Sequence, residues 1–323
     1  MKLTLLALTS IFLLSINTIN LNYDNGQIKY KVEIDHGILN GEYISWYKNG
    51  KIKAKGKFKN NQRVGEWKVY DSLGQTRMVR AYSNSFHFSY ISAKNEKGED
   101  IPTPNKSAYE RNNSESLQYP EVENKDVVIT KRIWRTIEAN SENNVLFEKN
   151  ILYNILLKNI IETKKLIAFT SESDEFEKVM SISEVKNKTS KNNFEIVGYK
   201  VKEDWHYNSN WQLSENRIIG ICPVIKDKNS ELETDLFWVP FTELIPLLEI
   251  QKTTSLNEES ISNIFDVFHF RFFNSTIYKD SNVFDYKISD YKNESEINDE
   301  SKKIEMELID IEHDLWIKST EMN

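Results

Sequence analysis

Residues 216–248 read NRIIGICPVIKDKNSELETDLFWVPFTELIPLL, the densest apolar stretch beyond the N-terminus. Two apolar runs, Arg217–Ile225 and Leu236–Phe241, flank a segment rich in Lys, Asp, Asn and Ser. That is the pattern of two buried strands joined by a solvated loop. Phe241-Thr242-Glu243-Leu244 then reads as a helix start, with Thr242 placed to cap it. The stretch therefore predicts the middle of a mixed α+β core built around a hairpin, and it names no chemistry.

Outward from it, Phe194–Val201 reads as a further strand. Leu152, Ile155, Leu156 and Ile160 fall at helical spacing in a segment apolar nearly all round, which predicts a buried helix. Ser255-x-x-Glu258 has the form of a capping box for a helix whose face is Ile261, Phe265, Phe268 and Phe272. Ile304, Leu308, Ile311 and Leu315 make a last amphipathic stripe ending at Trp316, a helix that requires a groove on its own domain or on a partner.

The chain of 323 residues is 39% hydrophobic and 12% aromatic, a composition that folds, with length for one sizeable domain and an appendage. Its net charge of −7 argues against non-specific nucleic-acid binding. The charge is unevenly spread. Residues 48–80 carry ten Lys/Arg against Glu66 and Asp71, leaving about −15 for the remainder.

At the N-terminus, Lys2 precedes the apolar run Leu3–Ile16, too short to span a bilayer comfortably, and polar residues follow. This reads as an export signal over residues 1–20. Cys222, the single cysteine, excludes an internal disulfide, which suits a periplasm as well as a cytosol.

The segment that follows repeats itself. Asn25-Gly26-Gln27-Ile28-Lys29 recurs as Asn49-Gly50-Lys51-Ile52-Lys53 and, worn down, as Leu73-Gly74-Gln75, with glycines spaced by 24. Gly41-Glu42-Tyr43 recurs as Gly65-Glu66-Trp67 at the same interval. Each unit reads as strand, glycine turn, strand, an all-β meander over residues 21–85. Strict alternation in 51–59 sets Lys51, Lys53, Lys55, Lys57 and Lys59 on one strand face and Ile52, Ala54, Gly56 and Phe58 on the other. The lysines have two readings, an exposed edge kept soluble or a contact surface. The pattern resembles the MORN-type repeat, about two and a half copies over residues 23–82, and the resemblance implies binding to proteins or lipid surfaces. Residues 86–118, poor in apolar side chains from Ala93 onward, read as a linker to a second domain over 119–318.

Catalytic signals are sparse. His36, His87, His206, His269 and His313 are scattered without metal-ligand spacing, so no metal or cofactor is expected. Glu312-His313-Asp314 occupies consecutive helical positions that diverge, which reads as a solvated surface. Cys222 lies between Ile221 and Pro223 in an apolar run and reads as an inert core thiol rather than a nucleophile served by His206. Lys131-Arg132-Ile133-Trp134-Arg135 is a cationic patch around an aromatic, which reads as an interface or an internal salt-bridge cluster.

From Tyr119-Pro120-Glu121-Val122 through Lys131–Arg135 the chain resembles the gliding-motility GldN/PorN family. The likeness continues in Asp174-Glu175-Phe176, Lys202–Trp205, Arg217–Val224, Leu236-Phe237-Trp238, Asp280–Asp285, Ile288–Tyr291 and Glu312–Trp316. Asn216 departs from it, standing where an apolar residue is expected before Arg217, which predicts a shortened strand. The meander also departs from the family's usual N-terminus. The resemblance implies a non-catalytic periplasmic ring subunit of type IX secretion. Its implied partners are an outer-membrane lipoprotein and the periplasmic domain of an inner-membrane motor component; the acidic charge predicts no nucleic-acid partner, and the repeat module predicts a further partner or a peripheral membrane contact. It marks Lys131, Arg132, Trp134, Arg135 and the Trp316 end of the terminal helix as partner-binding surfaces.

Overall fold

A computed structural model describes residues 17–85, 87–103, 122–190, 193–253 and 261–321. The N-terminal module is a seven-stranded antiparallel meander in sequence order. Its strands are β1 (Asn17–Asn22), β2 (Ile28–Asp35), β3 (Ile38–Trp46), β4 (Ile52–Lys59), β5 (Gln62–Tyr70), β6 (Thr76–Asn84) and β7 (His87–Ala93).

The 24-residue period is physical. In each turn a backbone N–H donates four residues ahead, Tyr23 to Gln27, Tyr47 to Lys51 and Asp71 to Gln75, at 2.8–3.0 Å. The glycines at 26, 50 and 74 hold φ near +80 to +90°, a region that costs a side chain steric energy. A fourth turn, Asn95 to Glu99 with Gly98 at φ +80°, continues the series. The meander therefore reaches beyond residue 85. β7 and this turn occupy the start of the segment read as linker, and β1 lies across the 20/21 boundary. Residues 1–16 and 104–121, the bulk of the signal and linker readings, lie outside the described residues.

The repeated aromatics build the meander's core. Trp67 stacks on Tyr43 at 5.2 Å and meets Phe58 and Tyr82 edge-on, pairings worth about 0.5–1.5 kcal/mol each beyond burial. Gly56 is glycine because a Cβ there would lie 2.2 Å from the Trp67 ring.

The predicted lysine face is broken. The register slips between the Ser45–Ala54 and Trp46–Ile52 pairs, and this bulge turns Lys53 inward, where it is buried, and leaves Ile52 exposed. Lys51, Lys55, Lys57 and Lys59 remain outside.

The second module is a mixed sheet-and-helix layer. Its strands are β8 (Val127–Glu138), β9 (Phe169–Thr170), β10 (Phe194–Asn208), β11 (Leu213–Asp227), β12 (Glu233–Asp235), β13 (Phe237–Pro240) and β14 (Thr276–Asp280), in the order β14-β8-β10-β11-β13-β9, with β12 pairing β11. The hairpin at its centre is β10 with β11. The two apolar runs of the opening stretch pair only at Gly220–Pro240 and Ile221–Val239, and the loop between them contains β12. β11 runs through Asn216, so that residue does not shorten it.

Among the described residues the α-helices are α1 (Asn144–Phe147), α2 (Ile151–Leu157), α3 (Ile182–Thr189), α4 (Phe241–Glu249), α5 (Ile264–His269) and α6 (Glu294–Glu321). Pro240, not Thr242, holds the N-cap position of α4. The expected box at 255–258 falls outside the described residues. α5 is instead capped by Asn263 and Asp266, each side chain accepting the other's backbone N–H, and Ile261 and Phe272 lie beyond its ends. α2, α4 and α5 pack with Ile137, Tyr199, Val201 and Ile221 into one core. The 28-residue α6 lies between the modules. Ile304 and Leu308 join Ile133, Trp205 and Ile277 of the second module, whereas Met306, Trp316 and Ile317 join Tyr43, Trp67 and Met78 of the meander.

Candidate functional site

α6 meets the meander through charge as well as apolar area. Glu312 sits between two guanidiniums, 3.1 Å from Arg63 and 2.8 Å from Arg80. Arg80 has no exposed surface. It also donates to the hydroxyls of Tyr82 at 3.1 Å and Tyr90 at 2.8 Å, and lies over the Phe88 ring. Two residues to either side of Glu312 on the helix, Asp310 and Asp314 are bridged by Lys53 at 2.5 and 2.7 Å, and Lys29 reaches Asp310 at 3.3 Å. Arg77 donates to the Thr320 hydroxyl at 2.9 Å. Burial opposes ionisation of Glu312, but Arg63 and Arg80 outweigh it and hold the carboxyl well below the usual range. Asp310 is lowered in the same way, burial being overcome by Lys53. His313, beside them and buried, is pushed down to about 3 by desolvation, opposed in part by Glu312 and reinforced by Arg63 and Lys53. It is neutral at physiological pH.

The other side of α6 repeats the device. Arg135 of β8 pairs with Glu203 of β10 and with Glu305 of α6, both at 2.6 Å, and Arg271 reaches Glu203 at 2.5 Å. The Ser301 hydroxyl accepts the Ile277 N–H at 2.7 Å. The modules also touch directly, Gln62 donating to the Arg271 carbonyl and Asn61 to Asn274, each at 2.8 Å. A cavity of about 180 Å³ remains where meander, α6 and β11 meet, walled by Arg63, Arg135, Arg217, Arg271, Glu305 and Glu312.

The predicted partner patch is largely internal. Arg132 makes a two-pronged pair with Asp204 at 2.7 and 3.2 Å, Lys131 meets Asp280 at 3.2 Å, and the Trp134 indole donates to Asp174 at 2.5 Å. Lys202 then bridges Asp174 at 3.0 Å and Glu175 at 2.7 Å. Trp134, Arg135 and Trp316 are buried, so they cannot form an accessible partner surface as the chain stands. Lys131 and Arg132 reach solvent, already paired.

Three separated strings of the sequence meet in this cluster. Lys131–Arg135, Asp174–Phe176 and Lys202–Trp205 converge on it, and Phe176 lies over Gly220, where a Cβ would come within 2.6 Å of the ring.

The solvated reading of Glu312-His313-Asp314 is overturned for its first two residues, which are buried in the seam; Asp314 is half exposed. Sequence reasoning missed Arg63, Arg80 and Glu312 although the signal was present. Arg80 falls in phase with Met78 and Tyr82 on one strand face. Glu312 stands four residues after Leu308 and four before Trp316, inside the apolar stripe. A charge in phase with a core face implies a buried partner.

Cys222 is fully buried, its thiol donates to the Pro223 carbonyl, and burial pushes its pKa up. Among the described residues no group of three or more His, Cys, Asp or Glu is arranged to hold a metal, and no helix is long and apolar enough to cross a membrane.

A strand-repeat sheet and an α+β layer fastened to one shared helix by buried ion pairs define a two-module packing unit. The model of the family described as "Gliding motility associated protein GldN" matches residues 122–317, from just before β8 to within the last turn of α6. The chain belongs to the GldN family and is a gliding-motility-associated component. No curated protein gives a significant match.

Proposed function

We propose that this chain is a non-catalytic ring or scaffold subunit of the type IX protein secretion and gliding machine. In this reading it works in the periplasm, holds an outer-membrane lipoprotein of the same system and touches the periplasmic domain of an inner-membrane motor component. The observation that carries the reading is the seam. α6 ties two modules into one stiff body by pairing its buried carboxylates, a construction suited to bearing load and transmitting position. Family membership supports the machine, and Lys2 with the apolar run after it supports export.

Crosslinking of the tagged chain in the cell, followed by mass spectrometry, tests the reading. Adducts from residues 122–317 to an outer-membrane lipoprotein and to an inner-membrane protein's periplasmic part are expected. Normal secretion in a deletion strain lacking any paralogue would sink it.

A second reading rests on the outward face of the meander, where Lys31, Lys55 and Lys59 are exposed near Lys57, itself 2.9 Å from Glu42. Here the module, read as MORN-like, docks on anionic lipid or an acidic partner. Reversing Lys55, Lys57 and Lys59 to Glu is expected to cut binding to vesicles rich in anionic phospholipid at least tenfold, since each basic residue near such a surface contributes about 1 kcal/mol. Unchanged co-sedimentation rejects the lipid contact.

A further inference from the structure

The most exposed apolar cluster of the described residues is the loop between β14 and α6. Val283 is 95% exposed, Phe284 72% and Tyr286 50%. The loop is nonetheless tightly built. The Asn282 side-chain oxygen accepts the N–H of Phe284 at 3.2 Å and of Tyr286 at 2.9 Å, while its amide donates to the Asp280 and Tyr286 carbonyls. Lys279 pairs with Asp285 at 2.6 Å, and the Phe284 and Tyr286 rings stack at 5.3 Å. A preformed aromatic knob loses little conformational freedom on docking, and an exposed apolar cluster of this kind marks an interaction surface.

The same module carries a hollow of matching chemistry. α2 and the C-terminal end of α4 enclose a groove of about 670 Å³. Ile151, Ile155, Leu247 and Ile250 lie along it, Ile250 being 78% exposed. Lys158, Lys165 and Lys252 line it too, all exposed and in no salt bridge among the described residues. Beside the knob, Asp290 is exposed and in no salt bridge among the described residues, whereas Asp285 is held by Lys279. The two surfaces also lie toward opposite borders of the sheet. The knob follows the edge strand β14, and α4 follows β13, next to the far edge β9.

We propose that the Val283–Tyr286 knob of one copy seats in the α2/α4 groove of a second copy. Different surfaces meet at each contact, so the association is head-to-tail, and it propagates into a ring or a filament instead of closing at a dimer. Apolar side chains supply the contact, and the lysine rim against Asp290 sets its orientation. A knob of three apolar residues is a small interface, and closure of many such contacts in one assembly gives it stability. The inference rests on the ring-subunit reading and names its subunit contact.

Two single-cysteine variants of the full chain test it, each in a Cys222→Ser background: Phe284→Cys in the knob and Ile250→Cys in the groove. Mild oxidation of the mixture is expected to give covalent dimers containing one of each, with few or none from either variant alone. Phe284→Asp and the pair Lys158→Glu with Lys252→Glu should each reduce wild-type assemblies to monomer by analytical ultracentrifugation, and mixing the two should restore dimers but nothing larger. Absence of the mixed disulfide, or assemblies indifferent to both sets of changes, overturns the contact. Large assemblies in the cell despite that failure leave the ring reading standing without this contact. Their absence fells both. Capture of a different protein by the Phe284→Cys knob also overturns the assignment to a second copy.

Discussion

Glu312→Gln is expected to destabilise the folded chain by about 3–5 kcal/mol, because it leaves two buried guanidiniums facing each other without their shared carboxylate. The loss comes less from the missing attraction than from charge that stays desolvated and unpaired. Arg80 has no solvent-exposed surface and cannot turn outward to recover hydration. The glutamine keeps the volume and one acceptor oxygen, so the change reports charge and not a cavity. Urea midpoints of the variant and the parent, at equal slopes, measure the effect. A loss under about 1 kcal/mol would show that the seam contributes shape but little electrostatic linkage. Replacing Glu312, Arg63 and Arg80 together by apolar residues of similar size should return most of the stability, since a packed apolar seam has no charge to desolvate.

Acidification is expected to loosen the same seam well before ordinary carboxylates protonate. His313 has its folded pKa held near 3, below the 6.5 of an unperturbed histidine. Below pH 6.5 the unfolded chain therefore binds a proton that the folded chain refuses, and stability falls with pH. The contribution is complete above pH 6.5 and is lost progressively toward pH 3, at about 1.4 kcal/mol per unit. Glu312 has the same sign. Its folded pKa lies below the 4.5 of the free side chain, so its contribution is complete above about pH 4.5 and falls away beneath it. Between pH 7.5 and 5 the histidine accounts for a loss of about 2 kcal/mol. His313→Gln should flatten the urea midpoint over that range, and equal slopes in parent and variant would remove His313 from the account.

The elements were legible where periodicity is local. The 24-residue glycine spacing gave the meander turns, although the fourth, at Gly98, was hidden in a polar stretch that composition assigns to linker. The stripe Ile304, Leu308, Ile311, Leu315 found α6, and the continuous apolar run at 217–225 found β11. Local patterns failed where a partner from far along the chain decides the outcome. The lysine face was broken by a bulge at Lys53, and nothing in the strict alternation of 51–59 announces it; Asp310, 257 residues away, supplies the charge that makes an inward lysine tolerable.

The sequence by itself determined a repeat sheet, an α+β module and an amphipathic helix that required a groove, because strand and helix periods are read within ten or twenty residues. Only the tertiary structure decided that the groove lies between the two modules and that Glu312, Arg63 and Arg80 share one buried site. It also turned the Lys131–Arg135 patch inward onto Asp174, Asp204 and Glu203. A charged side chain carries no mark of whether it faces water or an opposite charge. That choice belongs to the residues which folding brings beside it.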